Sequence, residues 1–136
     1  MRPLYFLARA ALGWVFVRAG ADVLQHPAGR AKAARPFLQS LRSSSPVPLP
    51  HDIALVRANA AIQVGAGSAL ALGARPRLAA VVLAASLVPT TVGGHAFWRY
   101  QAPERQTHQG HFDKNVGLLG GLLLIVLGGG RPRGPR

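Results

Sequence analysis

Three histidines and an aspartate crowd the later part of the chain. His108 and His111 are three residues apart, Asp113 follows, and His95 stands at the mouth of the same polar segment. Imidazole and carboxylate are good ligands for zinc or copper, so His108, His111 and Asp113 form a candidate metal site. The spacing is a weak signal for a metal, and a polar, solvated, histidine-rich loop accounts for it better. Two histidines can also hold haem axially, but no attachment motif accompanies them.

A second set of polar groups lies within apolar sequence. Asn59 and Gln63 are four residues apart, on one face of a helix, with Arg57 near its entrance, and Arg9 interrupts the first apolar stretch. Polar groups inside a membrane span must find partners within the protein. Asn59 and Gln63 therefore serve either as hydrogen bonds that fix helix packing or as contacts to a ligand. For Arg9 the alternatives are a stem lying along apolar surface with its guanidinium at the interface, a buried partner such as Asn59, or a bound anionic headgroup. In the ligand alternative Asn59 and Gln63 supply hydrogen bonds, Arg9 a charge, and His95 a proton carrier at the mouth. Histidine titrates near neutral pH, which suits a quinone.

The chain has no cysteine. Thiol–disulfide exchange, thiolate nucleophiles, iron–sulfur clusters and covalently bound haem are thereby removed from what it does alone. A phosphate-binding glycine loop is also missing, since Gly128-Gly129-Gly130 follows an apolar stretch and opens no helix.

The elements that carry these residues are apolar blocks. The 136 residues are 49% hydrophobic, and a bilayer crossing needs about 20 mostly apolar residues at a rise of about 1.5 Å each. Residues 4–24, 53–72 and 78–97 meet that requirement. Residues 115–130 span only about 24 Å and thin the local bilayer or borrow length from the preceding turn. The expected fold is all-α: one transmembrane domain over residues 1–136, a four-helix bundle ending in a basic tail at 131–136. The first block also resembles a signal peptide, with Ala19-Gly20-Ala21 as a cleavage site, but Arg9 and Arg18 shorten its apolar core.

Between the first two spans, residues 28–41 mix Arg30, Lys32 and Arg35 with Phe37, Leu38 and Leu41. That mixture suits a short amphipathic helix on the membrane surface, interrupted or restarted by Pro36. Pro46, Pro48 and Pro50 then favour an extended strap, and Asp52 is a candidate N-cap for the second span. Arg18 and Asp22, four apart, are positioned to pair. Small residues at Ala61, Gly65, Ala69 and Gly73, and at Gly117 and Gly121, predict close helix packing faces. Pro89 predicts a kink in the third span. Ala74-Arg75-Pro76-Arg77 leaves room only for a tight hairpin.

The net charge of +12 does not imply nucleic acid binding, because the basic residues flank the apolar blocks and form no basic face with interleaved aromatics. With four spans, both termini and the Arg75/Arg77 hairpin share one side. Arg131, Arg133 and Arg136 there suit the anionic headgroups of an inner leaflet, which favours cytoplasmic termini. A transporter is disfavoured, because four spans enclose a small pathway unless the chain forms a homo-oligomer.

Arg9-Ala-Ala-Leu-Gly13-Trp-Val-Phe16-Val-Arg-Ala-Gly20, Ala69-Leu-Ala-Leu-Gly73 followed by Arg77-Leu-Ala-Ala80, and His95-Ala-Phe97-Trp98 leading to Gln109, Phe112-Asp-Lys-Asn115 and Gly120-Gly121 together resemble the DoxX family of small four-helix membrane proteins. The resemblance covers nearly the whole chain. It implies a plasma-membrane bundle with cytoplasmic termini, in a family named for a subunit of a quinone-linked sulfur oxidation system and found with redox and oxidative-stress complexes. By position, the family's recurrent residues are Arg9, Gly13, Gly20, His95, Trp98 and Asn115. The expected function is a non-catalytic subunit that docks a redox protein partner. The alternative is a quinone or other small molecule bound inside the bundle by Arg9, Asn59, Gln63, His95, Trp98 and Asn115.

Overall fold

The structure, a computed structural model, describes residues 2–128, apart from the Arg2 side chain. The basic tail at 131–136 and the end of the fourth apolar block lie outside these residues. The described elements are helical: α1 (Arg2–Gln25), α2 (Pro27–Ser44), α3 (Asp52–Leu72), α4 (Pro76–Gly94), a 3-10 turn (Phe97–Arg99) and α5 (Glu104–Val126). Three segments are long and apolar enough to cross a membrane, Pro3–Gln25, Asp52–Leu72 and Pro76–Arg99. The fourth apolar block is the second half of a longer helix. The segment expected to be a histidine-rich loop is that helix's polar first half, Glu104–Lys114.

The tightest packing joins α1 to α3. A methyl group added at Gly13 would stand 2.5 Å from Gly67 O, and one at Gly20 would stand 2.7 Å from Ala60 O. Contacts therefore move down α3 as they move up α1, so the two helices are antiparallel. The contacting face of α3 is Ala60, Val64, Gly67 and Ala71, not the expected stripe of Ala61, Gly65, Ala69 and Gly73. A strict four-residue period drifts by about 40° per step on a 3.6-residue helix, so that stripe cannot keep facing one neighbour. A Cβ at Gly65 would meet nothing, and the same holds at Gly117, while Gly121 approaches only Leu12. Gly13→Ala is expected to destabilise the protein by about 1–3 kcal/mol, because the added carbon meets rigid backbone. Gly65→Ala should be neutral or stabilise by up to about 1 kcal/mol. Thermal unfolding of both variants in mild detergent measures the contrast.

The α3–α4 link is a three-residue turn. Gly73 (φ 77) and Arg75 (φ 46) are both left-handed, and Pro76 opens α4 at a position that needs no N–H. Helix α4 supplies most of the core: Ala79, Ala80, Leu83 and Leu87 pack with Phe16 of α1, Leu70 of α3 and Leu122 of α5. It passes through Pro89 and ends at Gly94, before residue 97 where the apolar block ends. The ring of Phe37 fills the space that a side chain at Gly93 would need.

Helix α2 runs unbroken through Pro36, which is exposed, where a freed carbonyl is solvated at little cost. Ala31 and Leu38 on its other face are buried. His51, not Asp52, is the N-cap residue of α3. The Asp52 carboxylate instead receives Arg42 Nη1 at 2.6 Å and Arg35 Nε at 3.3 Å, while Arg42 Nη2 donates to Pro50 O at 2.6 Å. Those contacts latch the end of α2 to the start of α3. Asp22 lies 3.7 Å from His26 and does not form the expected pair with Arg18.

Candidate functional site

The helices line a half-open cavity of about 220 Å³ beneath α2. Its body is apolar, with Phe16 from α1, Phe37 and Leu38 from α2, and Leu87 from α4. Asn59, Gln63, His95 and Asn115 also line it, so four of the six candidate ligand residues come together from three parts of the chain. The other two do not. Arg9 packs against Gly73 at the far end of α3, away from Asn59. Trp98 is 53% exposed and forms an edge-to-face trio with Phe97 and Phe112.

The polar side chains are ordered by the protons they have to give. Ser86 Oγ donates to Asn59 Oδ1 at 2.8 Å and Thr90 Oγ1 donates to Ser86 O at 2.9 Å, so neither hydroxyl has a proton left. Asn59 and Gln63 must therefore present their NH₂ groups. Asn59 Nδ2 donates to Thr90 Oγ1 at 3.0 Å, and Gln63 Nε2 donates to Ser86 Oγ at 3.1 Å and to Thr90 Oγ1 at 3.4 Å. The same logic holds one helix over. Thr91 Oγ1 donates to Leu87 O at 2.7 Å, which obliges Asn115 Nδ2 to donate to Thr91 Oγ1 at 3.0 Å. Gln63 Oε1 and Asn115 Oδ1 are left as acceptors with no donor among the described residues.

His95 closes one end of the cavity. Arg30 of α2 has only donors, so its Nη1 donates to His95 Nε2 at 2.9 Å and a neutral His95 ring keeps its proton on Nδ1. That atom lies 3.5 Å from His108 Nδ1. His111 stacks on His95 with ring centroids 4.8 Å apart, and Tyr100 stacks on His108 at 3.9 Å. Desolvation at this contact, then the positive charge of Lys114 and of Arg30, push the His111 pKa down. Asp113, an exposed residue, takes no part. Among the described residues no three His, Asp or Glu side chains are grouped to hold a metal ion. Arg30 and Lys114, cavity-lining cations, give the mouth the wrong sign for one.

Arg30, Ser86, Thr90, Thr91 and Lys114 were not assigned to a site from the sequence. Part of the signal was present. Ser86 and Thr90 repeat the four-residue spacing of Asn59 and Gln63, as facing ladders on two antiparallel helices must. Nothing in the sequence marks Arg30, because its partner stands 65 residues away.

No curated protein and no solved structure matches the chain. A family model, described as DoxX, matches residues 4–96, a stretch that takes in α1 to α4 and His95 and stops short of Trp98 and Asn115.

Proposed function

This chain belongs to the DoxX family of membrane proteins, and from that premise we propose that its cavity binds the headgroup of a quinone-class molecule within the plasma membrane. In this reading α1, α3, α4 and the apolar part of α5 cross the bilayer as a four-helix bundle with cytoplasmic termini, and α2 lies on the opposite surface as a cover. The chain acts with a redox enzyme and supplies no catalysis alone. An apolar cavity of about 150 Å³ accepts benzene; a site of about 220 Å³ has room for a one- or two-ring headgroup while its tail leaves between helices into lipid.

The observation that carries the reading is the pair of vacant acceptors, Gln63 Oε1 and Asn115 Oδ1, on a largely apolar wall. They ask for a donor from the ligand. A dihydroxy, reduced ring supplies two hydroxyls, whereas an oxidised ring would set its carbonyls against theirs. Arg30 and Lys114 at the mouth, with N–H groups to spare, suit the electronegative edge of either form.

The docking of a redox partner is the second reading, and it draws on the exposed Trp98 in its aromatic trio; anchoring at the membrane interface accounts for the same trio. Affinity purification of the tagged chain from its own membranes in mild detergent, with extraction of quinones and mass spectrometry of copurifying proteins, separates the two. The expected result is quinone at about one per chain, a single-site stoichiometry. A redox enzyme recovered with no extractable quinone would overturn the cavity reading in favour of docking.

A further inference from the structure

Arg9 has no place in that cavity, and its surroundings ask for a different occupant. Its Nε is the one buried side-chain polar atom among the described residues that lacks a hydrogen-bond partner. Nη2, Cζ and Nη1 lie 3.1, 3.3 and 3.3 Å from the point where a Cβ on Gly73 would stand, so the guanidinium is seated in a notch that only glycine leaves open. Two carbonyls at that helix end are already engaged, since Gly73 N donates to Leu70 O and Ala74 N to Ala69 O, and no hydrogen bond joins the guanidinium to any described residue. The side chain makes no ion pair among the described residues.

Charge and depth sharpen the problem. The chain has four acidic residues. Asp22 is near the end of α1, Asp52 opens α3, and Glu104 and Asp113 are in the first half of α5, so every acid stands at the opposite ends of these antiparallel helices. Arg75 and Arg77 add further positive charge beside the Gly73 turn, and Arg77 Nη2 rests against Gly128. Helix α1 overshoots this turn: six residues separate Pro3 from Arg9, about 9 Å of helix, and Leu4, Phe6 and Leu7 on that overhang are 69%, 51% and 58% exposed. Covering those side chains with lipid places the guanidinium below the membrane surface. A cation there needs an anion, and the described residues offer none.

We propose that the Arg9 guanidinium, seated on Gly73, is a binding site for a phosphate group, held end-on through Nη1 and Nη2, and that in the membrane this is the phosphate of an anionic phospholipid drawn in beside α1. Sealing of Nε leaves the outer edge of the fork as the open approach, and two parallel N–H donors match two phosphate oxygens. The site is independent of the cavity and survives if the quinone reading fails.

The test uses the full chain in dodecyl maltoside, its thermal midpoint followed during separate titrations with phosphatidylglycerol, phosphatidylcholine and inorganic phosphate. Saturating phosphatidylglycerol is expected to raise the wild-type midpoint by about 4–8 °C, with a smaller rise for the zwitterionic lipid. Arg9→Gln should remove most of that rise, Arg9→Lys should keep part of it, and Arg99→Gln, at the opposite end, should keep all of it. An unchanged wild-type midpoint overturns the proposal without any variant, as does an undiminished rise in Arg9→Gln. Inorganic phosphate reproducing the whole rise overturns the assignment to lipid.

Discussion

Gln63→Leu is expected to bind decylubiquinol about tenfold more weakly than the parent, the cost of about 1.4 kcal/mol for one lost hydrogen bond, with a smaller change for decylubiquinone. The asymmetry is the informative part. Only the reduced ring donates a hydroxyl to Gln63 Oε1, so a purely structural role for Gln63 would weaken both forms alike. Leucine fills a similar volume, and the neighbours keep partners: Ser86 still donates to Asn59, and Thr90 still receives Asn59 Nδ2. His95→Ala should act differently. It removes the acceptor that holds Arg30, so the guanidinium swings free of the mouth and both redox forms weaken together. Fluorescence quenching or calorimetric titration in detergent gives the six affinities. Equal binding of decylubiquinol by parent and Gln63→Leu would dispose of the acceptor argument.

The second large effect concerns access. Helix α2 roofs the cavity with Phe37 and Leu38, is latched to α3 through Asp52, and meets α4 where Phe37 crosses Gly93. A Cβ at Gly93 would lie 3.2 Å from Phe37 Cβ, a few tenths of an ångström inside the usual disulfide range of about 3.5–4.5 Å. Because the chain has no other cysteine, Phe37→Cys with Gly93→Cys gives a single possible intramolecular bridge. Oxidation should slow exchange of bound decylubiquinol by about tenfold or more, corresponding to at least about 1.4 kcal/mol on the barrier, and dithiothreitol should restore it. The reduced double variant is the reference, since it already lacks the phenyl ring. Exchange at one rate in both states would mean that ligands pass between the helices directly from lipid, with α2 fixed.

Most of the helix inventory was legible because apolar blocks and prolines mark it locally. The three long apolar blocks and the amphipathic segment before Ser43 all appear as helices within a few residues of where the sequence puts them. Errors arose where an outcome depended on which face meets which. Gly65 and Gly73 belong to one arithmetic stripe, yet only Gly73 has a neighbour, because the antiparallel register with α1 selects Ala60, Val64, Gly67 and Ala71. Asp52 has a capping residue's chemistry and sits one position too late to cap, so its carboxylate turned to Arg42. His108 and His111 were visible as a pair, but their common target, His95, was fixed only when α5 began as early as Glu104 and ran back along α4.

The close approach of Gly13 to Gly67 also sets an order of events on the ribosome. Helix α1 has its widest contact with α3, not with the segment made next, so its partner surface is complete only once Leu72 has been added. At about 5–20 residues per second, the 47 residues from 26 to 72 take several seconds to synthesise. For that interval Gly13 and Gly20 of α1 have no α3 backbone to pack against. Arg9 has no Gly73 to rest on until the interval ends, so the notch proposed to seat it beside a phosphate is built last.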